Sequence, residues 1–388
     1  MRTLFLLIAT TIAFSSCDKS HSINEEQHSI LSEKLNLPAD VFDYTPGFSQ
    51  ALINDFPEIR DALERDEVHD HLATMGRVLF YDKRLSRTNE ISCASCHLQE
   101  RAFSDDKAVS RGVNDLTGTR NALALATTMG FETSYGSNFS LPVSGVSAFF
   151  SWDDSVFDLT EQSLRAIESD VEMNMDLQAV VNKLESDPIY GVLNKNAFGT
   201  SQIMEHNILE ALKSFMNSMS SVESKFDKGL VMTRNNPQAD FPNFSNSENF
   251  GKSLFNRDCS SCHGDSHSFS VTPTANNGLD IYSIDPGKGG VTSREQDMGV
   301  FKVPFLRNIE VTSPYMHDGR FNTLEDVIDH YSNGIQPHPN LDIRLLENDG
   351  QPKRFDYSSE EKIALIDYLK SLTDQNILTA EKFSDPFK

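Results

Sequence analysis

The sequence predicts a mainly α-helical protein that contains two copies of one small domain. The first observation is a repeat, because the pattern G-[RK]-x-L-F precedes a C-x-x-C-H segment twice, starting at Gly76 and at Gly251. In both copies a Phe-Ser pair follows six residues after the histidine. The second observation is that apolar residues recur at helical spacing, while no long alternation of apolar and polar residues indicates a strand. Two copies of one domain are the simplest explanation of the repeat.

Apolar periodicity places the helices along the chain. The first repeat opens on the predicted end of a helix, over residues 76–81. Further helical patterns cover residues 159–169, 177–186 and 203–219. A stretch rich in Asn, Pro and Ser, residues 235–250, is typical of a linker between domains.

Two helix starts in the second half carry capping boxes. Thr323 and Asp326 precede the segment LEDVIDHY, and Ser358 and Glu361 precede KIALIDYLKSL. The second of these helices shows an apolar stripe that predicts its buried face, formed by Ile363, Ile366 and Leu369.

The N-terminus, MRTLFLLIATTIAFSSC, is typical of an export signal. Arg2 gives a positive start, and the apolar run that follows is too short to span a bilayer. Small residues then lead to Cys17 in a pattern that resembles a lipobox. We expect Cys17 to be lipidated, which predicts a periplasmic protein anchored to the membrane only by lipid. The alternative is an ordinary signal peptide with an incidental cysteine.

The predicted domain division follows from these features. It consists of a lipoprotein signal peptide at 1–16, a polar tether at 17–45, an N-terminal domain at 46–234, the linker at 235–250 and a C-terminal domain at 251–388.

The net charge of −23 and the pI near 4.8 limit the partners. Nucleic acid is excluded as a partner class, because phosphate binding needs a basic surface. An acidic field attracts a basic protein partner, although the same acidity can serve only to keep the protein in solution.

Covalent haem explains the repeated cysteine pairs. They are Cys93 and Cys96 before His97, and Cys259 and Cys262 before His263. A Cys₄ zinc site would need both pairs about 15–20 residues apart. Disulfides or a redox C-x-x-C would leave the two histidines unexplained. In a c-type attachment site the thiols add to the haem vinyl groups and the next residue supplies the proximal imidazole. The sequence therefore predicts two haem c groups, one in each cytochrome c-like domain.

At this point the chain resembles the bacterial dihaem cytochrome c peroxidases and their MauG-type relatives. The most specific stretch is MGVFKVPFLRNIEVTSPYMHDGRFNTLEDVIDHY, residues 298–331. The first half adds the pairs Arg120-Asn121, Trp152-Asp153, Glu161-Gln162 and Glu172-Met173. The resemblance implies an enzyme that reduces hydrogen peroxide to water at the N-terminal haem, with electrons relayed through the C-terminal haem.

The resemblance implies three catalytic residues in the N-terminal domain. Glu172 would carry a proton between the two peroxide oxygens, with Gln162 as its neighbour. Trp152, the single tryptophan of the chain, would assist electron transfer between the haems. The ordinary alternatives are a surface carboxylate for Glu172 and a core aromatic for Trp152. Asp154-Ser155 stands where the family has Gly-Arg, an arginine associated with the haem propionates.

The second axial ligand of the C-terminal haem distinguishes the subtypes. The resemblance implies Tyr331, as in MauG-type members, whereas the better-known peroxidases have a methionine there. An oxygen ligand lowers the reduction potential relative to methionine. Met316 and Met298 of the same domain are the alternatives.

The sequence has no histidine between Leu98 and Glu205, where many relatives carry a capping ligand. We therefore expect an open, high-spin N-terminal haem that needs no reductive activation. A lysine or a methionine such as Met173 is the alternative cap.

The resemblance also implies one calcium ion and a hydrogen-bonding role for a histidine. Oxygen ligands suit this hard cation, and those implied are Asn121, Thr312 and Pro314. His317 is expected to hydrogen-bond near the second haem, without a catalytic role.

Three functions remain open from the sequence. The first is the peroxidase, whose electron donor would be a small protein such as a cytochrome c or a cupredoxin. The second is a MauG-like oxidase that uses peroxide to oxidise a protein or an organic substrate. The third is a non-enzymatic dihaem electron carrier, in which Glu172 has no use. The sequence is also compatible with a homodimer and does not decide it.

Overall fold

The computed structural model describes residues 23–45, 70–126, 150–156, 158–264 and 272–388. The export signal and Cys17 lie outside these residues. Within them the protein is mainly helical, which confirms the predicted fold class. The helices are α1 Glu25–Ser32, α2 Asp70–Tyr81, α3 Leu159–Glu168, α4 Leu177–Glu185, α5 Pro188–Phe198, α6 Glu205–Ser218, α7 Lys225–Met232, α8 Asn246–Asp258, α9 Ser260–His263, α10 Lys288–Thr292, α11 Leu324–Asp329, α12 Ser359–Lys370 and α13 Gln375–Thr379.

Short elements connect these helices. Two two-residue strands, β1 Thr274–Ala275 and β2 Phe301–Lys302, pair antiparallel with Thr274 opposite Lys302. A π-helical turn, His330–Gly334, continues directly from α11. The 3₁₀ turns are Lys83–Leu85, Cys93–Ser95, Gln99–Arg101, Val113–Asp115, Glu295–Asp297, Ile309–Val311, Ile343–Leu345 and Glu381–Phe383.

The sequence repeat has a structural counterpart in two helix crossings. In the first, α2 packs on α6, and a Cβ added at Gly76 would lie 1.9 Å from the carbonyl oxygen of Ala211. In the second, α8 packs on α12, and a Cβ added at Gly251 would lie 1.8 Å from the carbonyl oxygen of Ala364. Only glycine allows the backbones to approach this closely. The glycine of each repeat thus sets the distance between its two main helices.

Each crossing lies in its own apolar core. The first core is built around Phe80, Phe103 and Phe215. The second is built around Phe255 and Tyr368. Among the described residues no helix is both long and apolar enough to cross a membrane.

Residues 23–45 and the C-terminal segment complete the first core. Leu31, Leu35 and Tyr44 are buried there, so residues 23–45 pack against the domain and do not form the polar tether that the sequence predicts. At the other terminus Ile377 and Phe383 are buried in the same core. Apolar positions spaced among polar residues explain why this segment has the composition of a tether.

Residues near the predicted domain boundary contribute to the second core. Phe226 of α7 belongs to that core, although it precedes residue 235. The predicted linker 235–250 overlaps the first turn of α8, which begins at Asn246. Phe241, within the linker, is also buried in the second core. The division at 234–250 remains a prediction, since these contacts describe packing and not independent folding.

The local predictions for helices hold with one correction. The patterns at 159–169, 177–186 and 203–219 correspond to α3, α4 and α6, and each differs by two residues or fewer at its ends. Both capping boxes form, since the Asp326 N–H donates to Thr323 Oγ1 over 3.1 Å and the Glu361 N–H donates to Ser358 Oγ over 3.2 Å. The prediction that Ile363 belongs to the buried face of α12 is wrong, because Ile363 is 59% exposed.

Candidate active site

A cavity of about 620 Å³ lies between the two cores, and both C-x-x-C-H segments line it. Their four cysteines are free thiols. Both segments fold back in the same way, because the N–H groups of His97 and His263 donate to the carbonyls of Cys93 and Cys259 over 3.0 and 3.1 Å. This turn brings each histidine ring to the same cavity as the two thiols before it.

The two histidine rings are oriented alike. His97 Nδ1 lies 2.7 Å from the Phe103 carbonyl oxygen, and His263 Nδ1 lies 3.0 Å from that of Pro304. A backbone carbonyl fixes the proton on Nδ1 and leaves the Nε2 lone pair for a metal. Burial lowers the pKa of His97, and it lowers the pKa of His263 to about 4. Burial therefore favours the neutral form of both rings, which is the form that an axial ligand requires.

These residues fit two covalently attached haem groups. Each half of the cavity offers two free thiols and one neutral imidazole with an available nitrogen, which is the donor set of haem c. The cavity also contains a polar atom, the Oε1 of Gln162, that lacks a hydrogen-bond partner among the residues the structure describes. Unpaired buried oxygens are uncommon unless a ligand or water completes them.

A tight loop positions Glu172 in the N-terminal half of the cavity wall. Its N–H donates to the Ser169 carbonyl over 3.0 Å, and its carbonyl accepts from Val113 N–H over 2.8 Å. Gly112 makes this pairing possible, since an added Cβ would lie 2.2 Å from the Val171 carbonyl oxygen. The Glu172 carboxyl is accessible from the cavity, but the surrounding protein raises its pKa to about 6 by desolvation.

Gln162 faces the same half of the cavity from α3. The helix starts at Asp158, whose Oδ1 accepts from the N–H groups of Thr160 and Glu161 over 2.8 and 2.9 Å. This cap fixes the start of α3, and Gln162 is the fourth residue of that helix. Gln162 and Glu172 thus both line this cavity, and the catalytic roles that the resemblance implies for them stay predictions.

Trp152 joins the two halves of the molecule. Its indole Nε1–H donates to the Asn121 carbonyl over 2.8 Å, and its own carbonyl accepts from Lys302 N–H of β2 over 2.9 Å. The indole lies edge-on to His317, with ring centroids 6.5 Å apart. His317 stacks on Phe301 at 3.8 Å and 13°. Trp152, Phe301 and His317 all line the cavity.

Ion pairs surround this junction. Arg120 pairs with Asp153 over 2.6 Å and with Asp285 over 2.7 Å. Asp154, at the position where the family has glycine, pairs with Lys288 over 2.7 Å. The altered loop thus forms its own ionic link between the halves.

Lys302 lines the cavity and has no role in the sequence predictions. Burial lowers the pKa of this lysine to about 7, and nearby Asp154 opposes that shift. The only feature of the sequence that indicates a role for Lys302 is its position in FKVPFLRN, which belongs to the stretch 298–331 that carries the family resemblance.

Tyr331 lies in the C-terminal half of the cavity wall, on the π-helical turn. Burial raises its pKa to about 12, and Asn277 opposes the shift. Met316 lines the same cavity, and its sulfur accepts from Asn277 Nδ2 over 3.5 Å. Met298 instead packs beside Gly289 of α10 and is not among the cavity-lining residues. Of the three candidate ligands, Tyr331 and Met316 are therefore at the cavity.

The three residues expected to bind calcium are part of the cavity lining. Asn121, Thr312 and Pro314 all line the cavity. Asn121 Nδ2 donates to the Lys107 carbonyl over 3.1 Å, which fixes the orientation of its amide. The described residues contain no cluster of three or more His, Cys, Asp or Glu side chains that could hold a metal ion. A cation here would depend on neutral oxygens.

Comparison with known proteins identifies the family. A family model described as di-haem cytochrome c peroxidase matches residues 70–235. The methylamine utilization protein MauG of Methylophilus methylotrophus is 30% identical over 307 residues, which cover 77% of this chain and 82% of that protein. The chain belongs to the dihaem cytochrome c peroxidase and MauG family. Like its relatives, this family member is a peroxide-dependent oxidoreductase with two haem c groups.

Both branches of the dihaem peroxidase family are represented among the relatives. The cytochrome c551 peroxidase of Nitrosomonas europaea is 32% identical over 265 residues, which cover 66% of this chain and 72% of the relative. A crystal structure of a MauG-like protein associated with microbial copper homeostasis superimposes with a TM-score of 0.69. It is 28% identical, and the match covers 82% of this chain and 93% of that one.

Proposed function

We propose that this dihaem protein reduces hydrogen peroxide to water at the haem attached to Cys93 and Cys96. Electrons would arrive through the haem attached to Cys259 and Cys262. The observation that supports this proposal is Glu172, a carboxyl in the wall of the N-terminal half whose pKa is raised to about 6. In this proposal residues 46–234 form the peroxidatic domain and residues 251–388 the electron-transfer domain.

The protein supplies the protons and positions the substrate. When bound, the haem supplies the redox chemistry of iron, held by His97. Glu172, ionised above pH 6, accepts a proton from one peroxide oxygen and returns it to the other as water leaves. Gln162 hydrogen-bonds to the oxygen atoms during this transfer. Trp152 lies on the route along which electrons pass between the domains.

Glu172→Gln tests this proposal. The amide keeps the size of the side chain but cannot carry the proton, so we expect peroxide turnover to fall by about 10²–10⁴-fold. Wild-type kcat/KM should rise with pH through about 6, because the carboxyl must be ionised to accept the proton. This limb should be absent in the variant.

Glu168→Gln is the matched control, since Glu168 is exposed on the adjacent helix α3. It should retain the wild-type rate and pH profile. Haem absorption spectra would verify that both variants carry two cofactors. Wild-type turnover in Glu172→Gln would refute the assignment of Glu172.

A second function, MauG-like oxidation of a protein or organic substrate, is favoured by Tyr331. A tyrosine ligand stabilises oxidised iron at low potential, which suits storage of an oxidising equivalent. Measuring peroxide consumption with and without a reduced small cytochrome c or cupredoxin distinguishes the two functions. Turnover that requires the donor protein supports the peroxidase. The non-enzymatic electron carrier is not favoured, because the relatives are named as enzymes and a carrier has no use for Glu172.

Three further proposals concern the surroundings of the enzyme. We propose export to the periplasm with lipidation at Cys17, one calcium ion at Asn121, Thr312 and Pro314, and a homodimeric assembly. We also propose that the N-terminal haem iron has an open coordination position and needs no reductive activation. Met173, which lines the cavity, is the alternative ligand that would close this position.

A further inference from the structure

One tyrosine in the C-terminal half of the cavity is paired with a carboxylate. Tyr357 is 6% exposed and lines the cavity. Its phenol donates to Asp258 Oδ2 over 2.9 Å. Asp258 is the last residue of α8, directly before Cys259, and it also lines the cavity. The pair therefore lies beside the attachment site of the second haem.

This pairing distinguishes Tyr357 from the other cavity-lining tyrosines, within the part of the chain that the structure describes. These are Tyr315 and Tyr331. The Tyr315 phenol donates to the Ile309 carbonyl over 2.9 Å, and a neutral amide is a very weak proton acceptor. Tyr331 is the proposed haem ligand and has Asn277 as its side-chain partner. Tyr357 thus has a base within the distance at which positioned groups transfer protons.

The surroundings hold Tyr357 protonated and hold its base in place. Burial, and after it the nearby negative groups including Asp258, raise the pKa of Tyr357 well above its usual range. The Arg257 guanidinium binds Asp258 through Nη2 and Nε over 2.7 and 2.9 Å. The Tyr357 N–H donates to Ser332 Oγ over 3.0 Å, and its ring stacks on Phe355 at 5.6 Å and 11°. A phenol that stays neutral at rest can lose an electron only if its proton leaves with it.

We propose that Tyr357 is a redox-active tyrosine that passes electrons from an external one-electron reductant to the second haem, with Asp258 as the proton acceptor. The electron from Tyr357 goes to the cofactor at His263 after that cofactor has been oxidised at the expense of peroxide. The phenolic O–H bond breaks, and an O–H bond forms on Asp258. The reductant then returns one electron to the tyrosyl radical, and Asp258 returns the proton. Two such cycles supply the two electrons that one peroxide requires.

This inference rests on the proposed function for its oxidant and names the route by which electrons enter. The test is freeze-quench EPR of the holoprotein after mixing with hydrogen peroxide, with ring-deuterated tyrosine to identify a tyrosyl radical. We expect a tyrosyl signal in the wild type and in the control Tyr315→Phe. We expect Tyr357→Phe to lack it. Asp258→Asn should form the signal about 100-fold more slowly, because the base is lost while the phenol remains.

The outcomes separate this inference from the proposed function. A tyrosyl signal of unchanged shape in Tyr357→Phe would overturn the inference, as would wild-type protein that consumes peroxide without any tyrosyl signal. Wild-type protein that does not react with peroxide would overturn the proposed function, and the inference with it. Haem spectra verify the fold of each variant. If Tyr357→Phe does not assemble, Tyr357→Leu and Asp258→Asn provide the same test.

Discussion

The two halves of the cavity have the same supports but different walls. In both halves a glycine allows two helices to cross at close distance. A phenylalanine of the same helix lies against the histidine of the C-x-x-C-H segment. Phe80 and His97 have ring centroids 6.4 Å apart at 47°, and Phe255 and His263 have them 6.5 Å apart at 48°. The attachment of the two haems is therefore built in the same way.

The walls differ in how carboxylates are used. In the N-terminal half, Glu172 has the Ser169 hydroxyl as its side-chain partner, and desolvation raises its pKa. In the C-terminal half, Asp258 pairs with Arg257, and Asp342 pairs with Arg344 over 2.6 Å. Desolvation raises the pKa of a carboxyl toward neutral pH, so that it can exchange a proton with a substrate, whereas a neighbouring guanidinium favours the charged form, which can accept a hydrogen bond from a phenol. The proposed roles follow this difference, with proton exchange with peroxide at the first cofactor and electron entry through Tyr357, next to its base Asp258, at the second.

The largest expected effect comes from breaking the shared supports. Gly76→Ala and Gly251→Ala each place a Cβ within 2 Å of a backbone oxygen of the facing helix. We expect each to destabilise its own half by about 3 kcal/mol, the upper part of the usual range for overpacking. The measurement is urea unfolding of the holoproteins, followed by circular dichroism and by haem absorption.

Gly118→Ala is the control, because no atom of the described part of the chain lies within 4 Å of its added Cβ. It should change the free energy of unfolding by less than about 0.5 kcal/mol. If Gly76→Ala were tolerated like Gly118→Ala while Gly251→Ala was not, the two crossings would not be equivalent supports.

A smaller, more local effect is expected where the walls differ. Tyr331→Phe removes the oxygen proposed as the second axial ligand without changing the shape of the ring. We expect the low-spin ferric EPR signal to disappear and the reduction potential of that haem to rise by on the order of 100 mV. Spectroelectrochemical titration measures the potential.

Met316→Leu is the companion variant, because Met316 lines the same cavity. It should leave both the spectrum and the potential as in the wild type. If Met316→Leu lost the low-spin signal and Tyr331→Phe kept it, the axial ligand would be Met316. A tyrosine at position 331 would then not distinguish the two subtypes of the family.

The features that could be predicted from the sequence are local. The C-x-x-C-H segments, the repeated glycine and the capping boxes depend on residues close together in the chain, and the structure contains them as expected. Gln162, Glu172 and Tyr331, which the resemblance to the family implies as site residues, line the cavity, and their roles stay predictions.

The features that could not be predicted depend on distant parts of the chain. Tyr357 and Asp258 are 99 positions apart and meet only because α8 and α12 cross. The packing of residues 23–45 likewise depends on the C-terminal tail, as in the N–H of Asn36 donating to the Pro386 carbonyl over 2.7 Å. Ile363 fits an apolar periodicity but faces solvent, because the crossing at Gly251 turns Ala364 and Tyr368 inward.

The smallest expected effect concerns how the two halves start equivalent helices. The N-cap residue of α12 is Ser358, whose Oγ accepts the Glu361 N–H, whereas that of α6 is Met204, which has no hydroxyl and is 42% exposed. Ser358→Ala should therefore lower the free energy of unfolding of the C-terminal half by about 1 kcal/mol. Met204→Ser should raise that of the N-terminal half by up to about the same amount, because Met204 already has the extended backbone of an N-cap. Thermal unfolding followed at each haem measures both changes. A Met204→Ser protein that is less stable than the wild type would show that the packing of the Met204 thioether stabilises the domain more than a serine cap does.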